Sequence, residues 1–255
     1  MRVRRVALVA VLALLAGSSL TGCRSEPAVA AYLGDRKVTV DELNEIVAAV
    51  NDVADERTAL IARMRAEQVA FSTTAKPGDT PPQVDPDALK PVTRTNSREV
   101  LSLLVCAEVG RTVIDEQSLA AAATPPEVFG GLFGLQASDR YVRLWGDYWT
   151  VYRAIGKRSK PQPVTDEQAE VFYDAMLAAG QVQGDADAAI GTIKSDATVG
   201  AVFQTQRVFD DAARRAGVRL NPRYGQLVLP LAVENSSSPI ELPFPDNSGV
   251  PVEAA

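Results

Sequence analysis

The chain has no histidine. That absence excludes imidazole acid–base catalysis, Ser-His-Asp and Cys-His nucleophile systems, and every metal site that needs an imidazole ligand. Two cysteines in 255 residues cannot build a Cys-rich zinc site or a disulfide framework. Basic residues are outnumbered, 26 against 32, for a formal charge of -6. A nucleic-acid binder carries a basic face, so no nucleic-acid partner is expected. Aromatics make up only 6% of the chain, yet both tryptophans and a string of tyrosines and phenylalanines crowd into residues 129–152. The rest is ordinary. Hydrophobic residues at 46% and charged residues at 23% suffice to bury the core of one medium domain or two small ones.

The first 22 residues read as an address label. Arg2, Arg4 and Arg5 form a positive stretch, and Val6 to Leu15 is an unbroken apolar run. The run is short of the about 20 residues that span a bilayer, and the pattern is that of a secretory signal peptide. It ends in Leu20-Thr21-Gly22-Cys23. The four residues resemble the bacterial lipobox, in which the cysteine receives a diacylglycerol thioether before cleavage on its amino side. The alternative is an ordinary signal peptide with a cysteine at that place. The resemblance implies lipidation of Cys23, palmitate-type acyl chains holding the protein to the extracytoplasmic face of the cell membrane, and a short tether over 23–27. Cleavage would remove three arginines, leaving 23 basic against 32 acidic residues, a formal -9. The other cysteine, Cys106, is expected to be a small buried apolar residue.

Past the tether, Ala28 to Val40 reads as two strands about a tight Gly34-Asp35 turn. Thr39, three residues before Glu42, carries a capping-box signature. Leu43, Ile46, Val47, Val50, Ala54, Arg57, Ile61 and Met64 then recur at three- and four-residue spacing, which predicts one amphipathic helix to about Phe71. Five prolines (Pro77, Pro81, Pro82, Pro86, Pro91) make 72–95 a loop. A second helix is predicted from Asn96 or Ser97, fading over Ala120 to Ala123 and stopped by Pro125-Pro126. Phe129 to Leu135, FGGLFGL, lacks the Gly-Lys-Ser/Thr of a phosphate cradle and reads as a tight apolar connection. A third helix, Ser138 to Lys157, carries the apolar stripe Tyr141, Leu144, Trp145, Tyr148, Tyr152 and Ile155. Thr165 with Gln168 opens a further helix that ends at Gly180. A short helical or turn segment near Asp185 to Ile190 and a last helix from Asp196 to Ala216 follow, with Gly217 as its cap. Val218 to Leu220 is a short strand, placed against the amino-terminal hairpin. Residues 231–255, rich in serine, proline and small residues, read as a disordered tail. There is no internal repeat.

Three stretches resemble the SurA- and PrsA-type extracytoplasmic chaperones. VAAYLGDRKVTVDEL (Val29 to Leu43) is similar to their opening strand, turn, strand and capped helix. SREVLSLLVCAEV (Ser97 to Val109) is similar to their second helix, with Arg98, Leu101 and Leu104 partly fitting its pattern. The ending, a long helix, Gly217, a strand and Asn221-Pro222-Arg223-Tyr224-Gly225, resembles SurA N-terminal-like lipoproteins of actinobacteria. The resemblance covers about 100 residues and implies that the last helix and strand complete the amino-terminal module. Parvulin isomerase domains carry histidines in their catalytic pocket. This chain has none and reads as helical over 118–195, so prolyl isomerase activity is not expected.

The resulting expectation is a mainly α-helical, SurA N-terminal-like module over 28–230, with a small β element joining chain start and end and 118–195 as an inserted helical lobe. Its function is read as chaperone-like and non-catalytic, with no cofactor or metal. Unfolded or extended polypeptides would be held in an apolar helical groove. The candidate groove residues are Phe129, Phe133, Tyr141, Trp145 and Trp149. A stripe of this kind is ordinarily core; Tyr and Trp also tolerate a half-wet interface, which a groove requires. The alternative function is a cell-envelope scaffold with one defined protein partner. An enzyme using Asp185/Asp187 or Asp210/Asp211 is disfavoured, because adjacent acids on a helix point apart. Calcium at Asp185 and Asp187 lacks the full oxygen-ligand series.

Overall fold

A computed structural model describes residues 26–76, 92–182, 185–233 and 238–245. The signal peptide, Cys23, the prolines at 77–91 and most of the final stretch lie outside the described residues. The fold is mainly helical with small antiparallel sheets, as expected.

Strands β1 (Val29–Leu33) and β2 (Arg36–Thr39) form the expected hairpin, with Leu33 opposite Arg36. Of the two turn residues Gly34 alone has a positive φ, 58°, the pattern of a II′ turn with glycine first. Strand β3 (Arg219–Leu220) pairs antiparallel with β1, giving the order β2-β1-β3. Asn221 secures the join: its backbone N–H donates to Ala30 at 2.9 Å and its side-chain amide to Val29 at 3.0 Å. The start and end of the chain meet as the sequence reading required.

Helix α1 (Val40–Thr74) starts at Thr39, whose hydroxyl accepts from the Glu42 N–H at 3.1 Å. The Glu42 carboxylate instead accepts from Arg140 at 2.5 Å. The apolar stripe of α1 divides in two. Leu43, Ile46, Val50 and Ala54 are buried, whereas beyond Ala54 no residue of the helix is. The 35 residues extend about 52 Å at 1.5 Å each, so more than half of α1 runs past the buried core.

Helix α2 (Ser97–Gln117) is the central element, packed against α1, α4, α7, β1 and β4. It ends at Ser118 in the left-handed region, φ 50°, before the alanine run. Pro125-Pro126 was expected to stop a helix; instead Pro126 opens α3 (Pro126–Phe133) at a position where the missing N–H costs nothing. FGGLFGL is therefore mostly helix. Gly134, φ 70°, closes it, its N–H donating to Gly130. Helix α4 (Arg140–Gly156) packs on α2, α3 and α7. At its crossing with α2 a Cβ on Gly110 would lie 2.1 Å from Val151 Cγ1 and 2.8 Å from Phe209 Cε1. Glycine is what lets α2, α4 and α7 approach there.

Helix α5 (Asp166–Ala178) has both halves of the capping box expected at Thr165 and Gln168. Helices α6 (Ala186–Ser195) and α7 (Ala197–Arg215) follow, capped by Asp185 and Asp196. Residues from each of the seven helices described join one contiguous core with the strands. The expected inserted lobe over 118–195 is thus corrected: α4 lies in the middle of the shared core, because its aromatic face and α2's small-residue face bury each other.

The expected tail from 231 onward also needs correction. Strand β4 (Val228–Leu231) pairs with β5 (Ile240–Pro243). Ile240, Leu242 and Phe244 are buried, and this period-two alternation is the signature of a half-buried strand. The hairpin is stapled from three helices. Ser102 accepts from the Val228 N–H at 3.1 Å, the Tyr148 hydroxyl donates to the Pro230 carbonyl at 2.7 Å, and the Gln206 amide donates to the Pro243 carbonyl at 2.8 Å.

Candidate functional site

The five candidate groove residues are brought together, but inward. Phe129, Phe133, Tyr141 and Trp145 are each at most 1% exposed, and Trp149 is half-buried. The Trp145 ring lies 5.5 Å from Phe129 and 5.3 Å from Phe133 by centroid. Helix α3 is the reason. Phe129 and Phe133, four residues apart on one of its faces, close over the α4 stripe. The expected open groove at these residues is therefore corrected to an aromatic core, with Trp149 stacked on Tyr152 at 4.8 Å on its rim.

Cys106 is buried among the core residues, and burial pushes its thiol up, so it stays protonated. Asp185 accepts from the Asp187 N–H at 2.9 Å as a helix cap. Asp210 is ion-paired with Arg214 at 2.6 Å, four residues on, while Asp211 is exposed. Among the described residues no group of three His, Cys, Asp or Glu is placed to hold a metal ion.

The surface opens elsewhere. Three adjoining clefts, of about 310, 330 and 420 Å³, follow α5 along β5. The first lies between Arg94, Arg98, Glu99, Ala178, Ser238 and Glu241. The second shares Arg98, Ala175 and Glu241 with it and adds Asp174 and Val171. The third shares Val171, Gln226 and Pro243 with the second and reaches Phe203 and Phe244. Apolar and charged side chains alternate along this path. The β strands beside it are blunted as edges: Pro230 and Pro243 lack an N–H, and their carbonyls already accept from Tyr148 and Gln206.

Glu99 lies at the floor of the first cleft. It is 2% exposed, and its carboxylate accepts from the Tyr141 hydroxyl and, at 2.9 Å, from the Thr95 hydroxyl. Desolvation pushes its pKa up to about 7; the hydrogen bonds from Tyr141 and Thr95 pull the other way, and the nearby Glu241 adds to the rise. The surroundings are tightly tied. Asn51 of α1 bonds both the N–H and the carbonyl of Thr95, at 3.2 and 3.1 Å. Asn96 caps α2 and donates to Glu241 at 3.0 Å, and Arg98 is ion-paired with the same Glu241.

The sequence reading missed Glu99 because it sits in the polar first turn of α2, after Ser97 and Arg98, and nothing local marks a carboxylate that will be buried. It missed the groove because β4 went unread as a strand and β5 was read as tail. The alternation of Ile240, Leu242 and Phe244 was the available signal. Among the described residues no helix is long and apolar enough to cross a membrane. No protein-family model, no curated protein and no solved structure matches the chain.

Proposed function

We propose that this chain is a membrane-anchored extracytoplasmic protein, lipidated at Cys23, that holds unfolded or extended polypeptides without catalysis. The observation that carries the reading is the groove of three adjoining clefts along α5. The 13 residues of α5 extend about 20 Å, which matches about six residues of extended chain at about 3.3 Å each. Half-buried Val171 offers apolar contact, with the largely buried Phe203 and Phe244 lining the third cleft beside it, and Arg98, Asp174 and Glu241 offer polar contact. Such a lining favours many sequences weakly instead of one tightly. With both strand edges blunted, a client would be held by its side chains and not by strand addition. The likeness of the chain's start, second helix and end to SurA-type chaperones supports the same reading.

The test is suppression of aggregation of an unfolded client by the acylated chain, compared with Val171→Asp and Ala178→Glu. Both positions line the groove, half-buried and exposed respectively. Suppression by the native chain that falls severalfold in both variants, with melting unchanged, is the expected result. Suppression unaffected by either variant overturns the groove as the site.

A second reading, a scaffold for one defined partner, rests on the outer half of α1. Leu60 and Val69 are exposed, and Ile61, Met64 and Phe71 are half-buried outside the core cluster. Capture of a single stoichiometric partner, lost in Leu60→Asp/Met64→Asp and retained in the groove variants, would favour it.

A further inference from the structure

We infer that the outer face of the amino-terminal sheet seats the anchored chain on anionic phospholipid headgroups; this rests on the lipid anchor proposed at Cys23. Lys37, Tyr32 and Arg219 form one row across β2, β1 and β3, since Tyr32 is opposite Lys37 on one side and Arg219 on the other. The Lys37 ammonium lies 5.6 Å and the Arg219 guanidinium 5.0 Å from the centre of the Tyr32 ring. The chain enters the fold on this row. The Glu26 N–H donates to the Tyr32 hydroxyl at 3.4 Å, and Lys37 donates to the Glu26 carboxylate at 2.7 Å.

Glu26 is three positions after Cys23, with two residues between them, a reach of at most about 11 Å. That is close to the Debye length of about 8 Å at physiological salt. An acyl group on Cys23 therefore holds the row at headgroup depth, whatever the rest of the chain does. The row's chemistry suits that depth: two cations for lipid phosphates and a tyrosine between them, a residue that favours the membrane–water interface. Lys37 can exchange Glu26 for a lipid phosphate at little cost, because the pair is exposed. Arg36, the next residue along β2, belongs to the opposite face with Leu33 and is paired there with Glu108 of α2. Glu26 sits beside the row, paired with Lys37, and Asp35 in the hairpin turn is exposed. The formal -9 left after signal cleavage opposes general adsorption to an anionic membrane, so the face next to the tether is the one held there.

The acylated full chain is reconstituted in phosphatidylcholine vesicles with and without phosphatidylglycerol, at low and at high salt. Flotation reports the anchor, and hydrogen exchange of residues 29–39 and 218–224, referenced to α2, reports the contact. At about fivefold for each of the two cations, exchange of these segments slows by up to about twenty-five-fold in phosphatidylglycerol vesicles at low salt and recovers at high salt. The Lys37→Glu/Arg219→Glu variant floats equally well and loses the slowing; α2 exchange in solution reports that it is folded. Flotation without lipid- and salt-dependent slowing in the native chain overturns this inference and leaves the anchor standing. A chain that does not float overturns the anchor, and the inference with it.

Discussion

The α4 aromatic face and the groove along α5 are built from similar materials and end in opposite states. Both pair apolar side chains with a few polar ones. On α4 a third element, the eight-residue α3, covers the stripe and leaves Tyr141 and Trp145 at or near zero exposure. Along α5 the element that comes alongside is β5, four residues long and spaced by prolines, and it leaves clefts on either side. A helix face becomes core or site according to whether a neighbour with complementary bulk reaches it. Aromatic density by itself pointed to a face that is sealed.

The sharpest way to break this contrast is to open the closed side. Trp145→Ala empties a fully buried site ringed by Phe129, Phe133 and Tyr148. We expect a loss of about 3–5 kcal/mol, read by urea unfolding. A loss below about 1 kcal/mol would mean that α3 is not seated as described. Val171→Asp, on the open side, should cost less than about 1 kcal/mol in the same assay while lowering client protection severalfold.

Glu99 lies where the two regions meet, its carboxylate held by Tyr141 on the closed side and its edge at the first cleft on the open side. Burial raises its pKa from 4.5 to about 7 in the fold, so the folded chain holds this proton more tightly than the unfolded one. Its contribution favours folding below about pH 4.5 and is lost as pH rises to about 7. The loss is about 3 kcal/mol if the full shift is realised. Glu99→Gln removes the ionisation and keeps the shape. Above pH 7 it should be more stable than the native chain by up to about 3 kcal/mol, with the gap closing toward pH 4.5 in urea melts. A native–variant difference that does not change over that range would refute the assignment.

A smaller effect than that of Trp145 or Glu99 sharpens the role of Tyr148. Tyr148→Phe keeps the ring contacts and removes the donor to Pro230. The orphaned carbonyl should cost about 1–2 kcal/mol and speed exchange in 228–231 without altering α3. Equal exchange in the two proteins would show that the carboxy-terminal hairpin is held by apolar contact alone.

Most of the helices were legible because their signals are local. Thr165 and Gln168 cap α5 through atoms three residues apart, and the start of α7 at Asp196 needs no distant partner. The hairpin turn at Gly34 is equally local. Helix α3 was hidden because Pro125-Pro126 reads as a stop until the chain's direction shows Pro126 as a first residue. Strands β4 and β5 were hidden because each is four residues long and contains proline. They are strands through each other, and through Ser102, Tyr148 and Gln206, between 37 and 126 residues away.

Amino-acid order alone settled the helical class, the early hairpin, its closure by the chain's last long helix and strand, and the absence of imidazole chemistry. These follow from spacing, caps and composition, which act over a few residues. Which aromatic face is sealed, which carboxyl is stripped of water, and where a cleft stays open were decided by packing between distant segments. Burial is a property of a residue's neighbours in space, and Phe129 meets Trp145, or Tyr141 meets Glu99, after the helices have crossed.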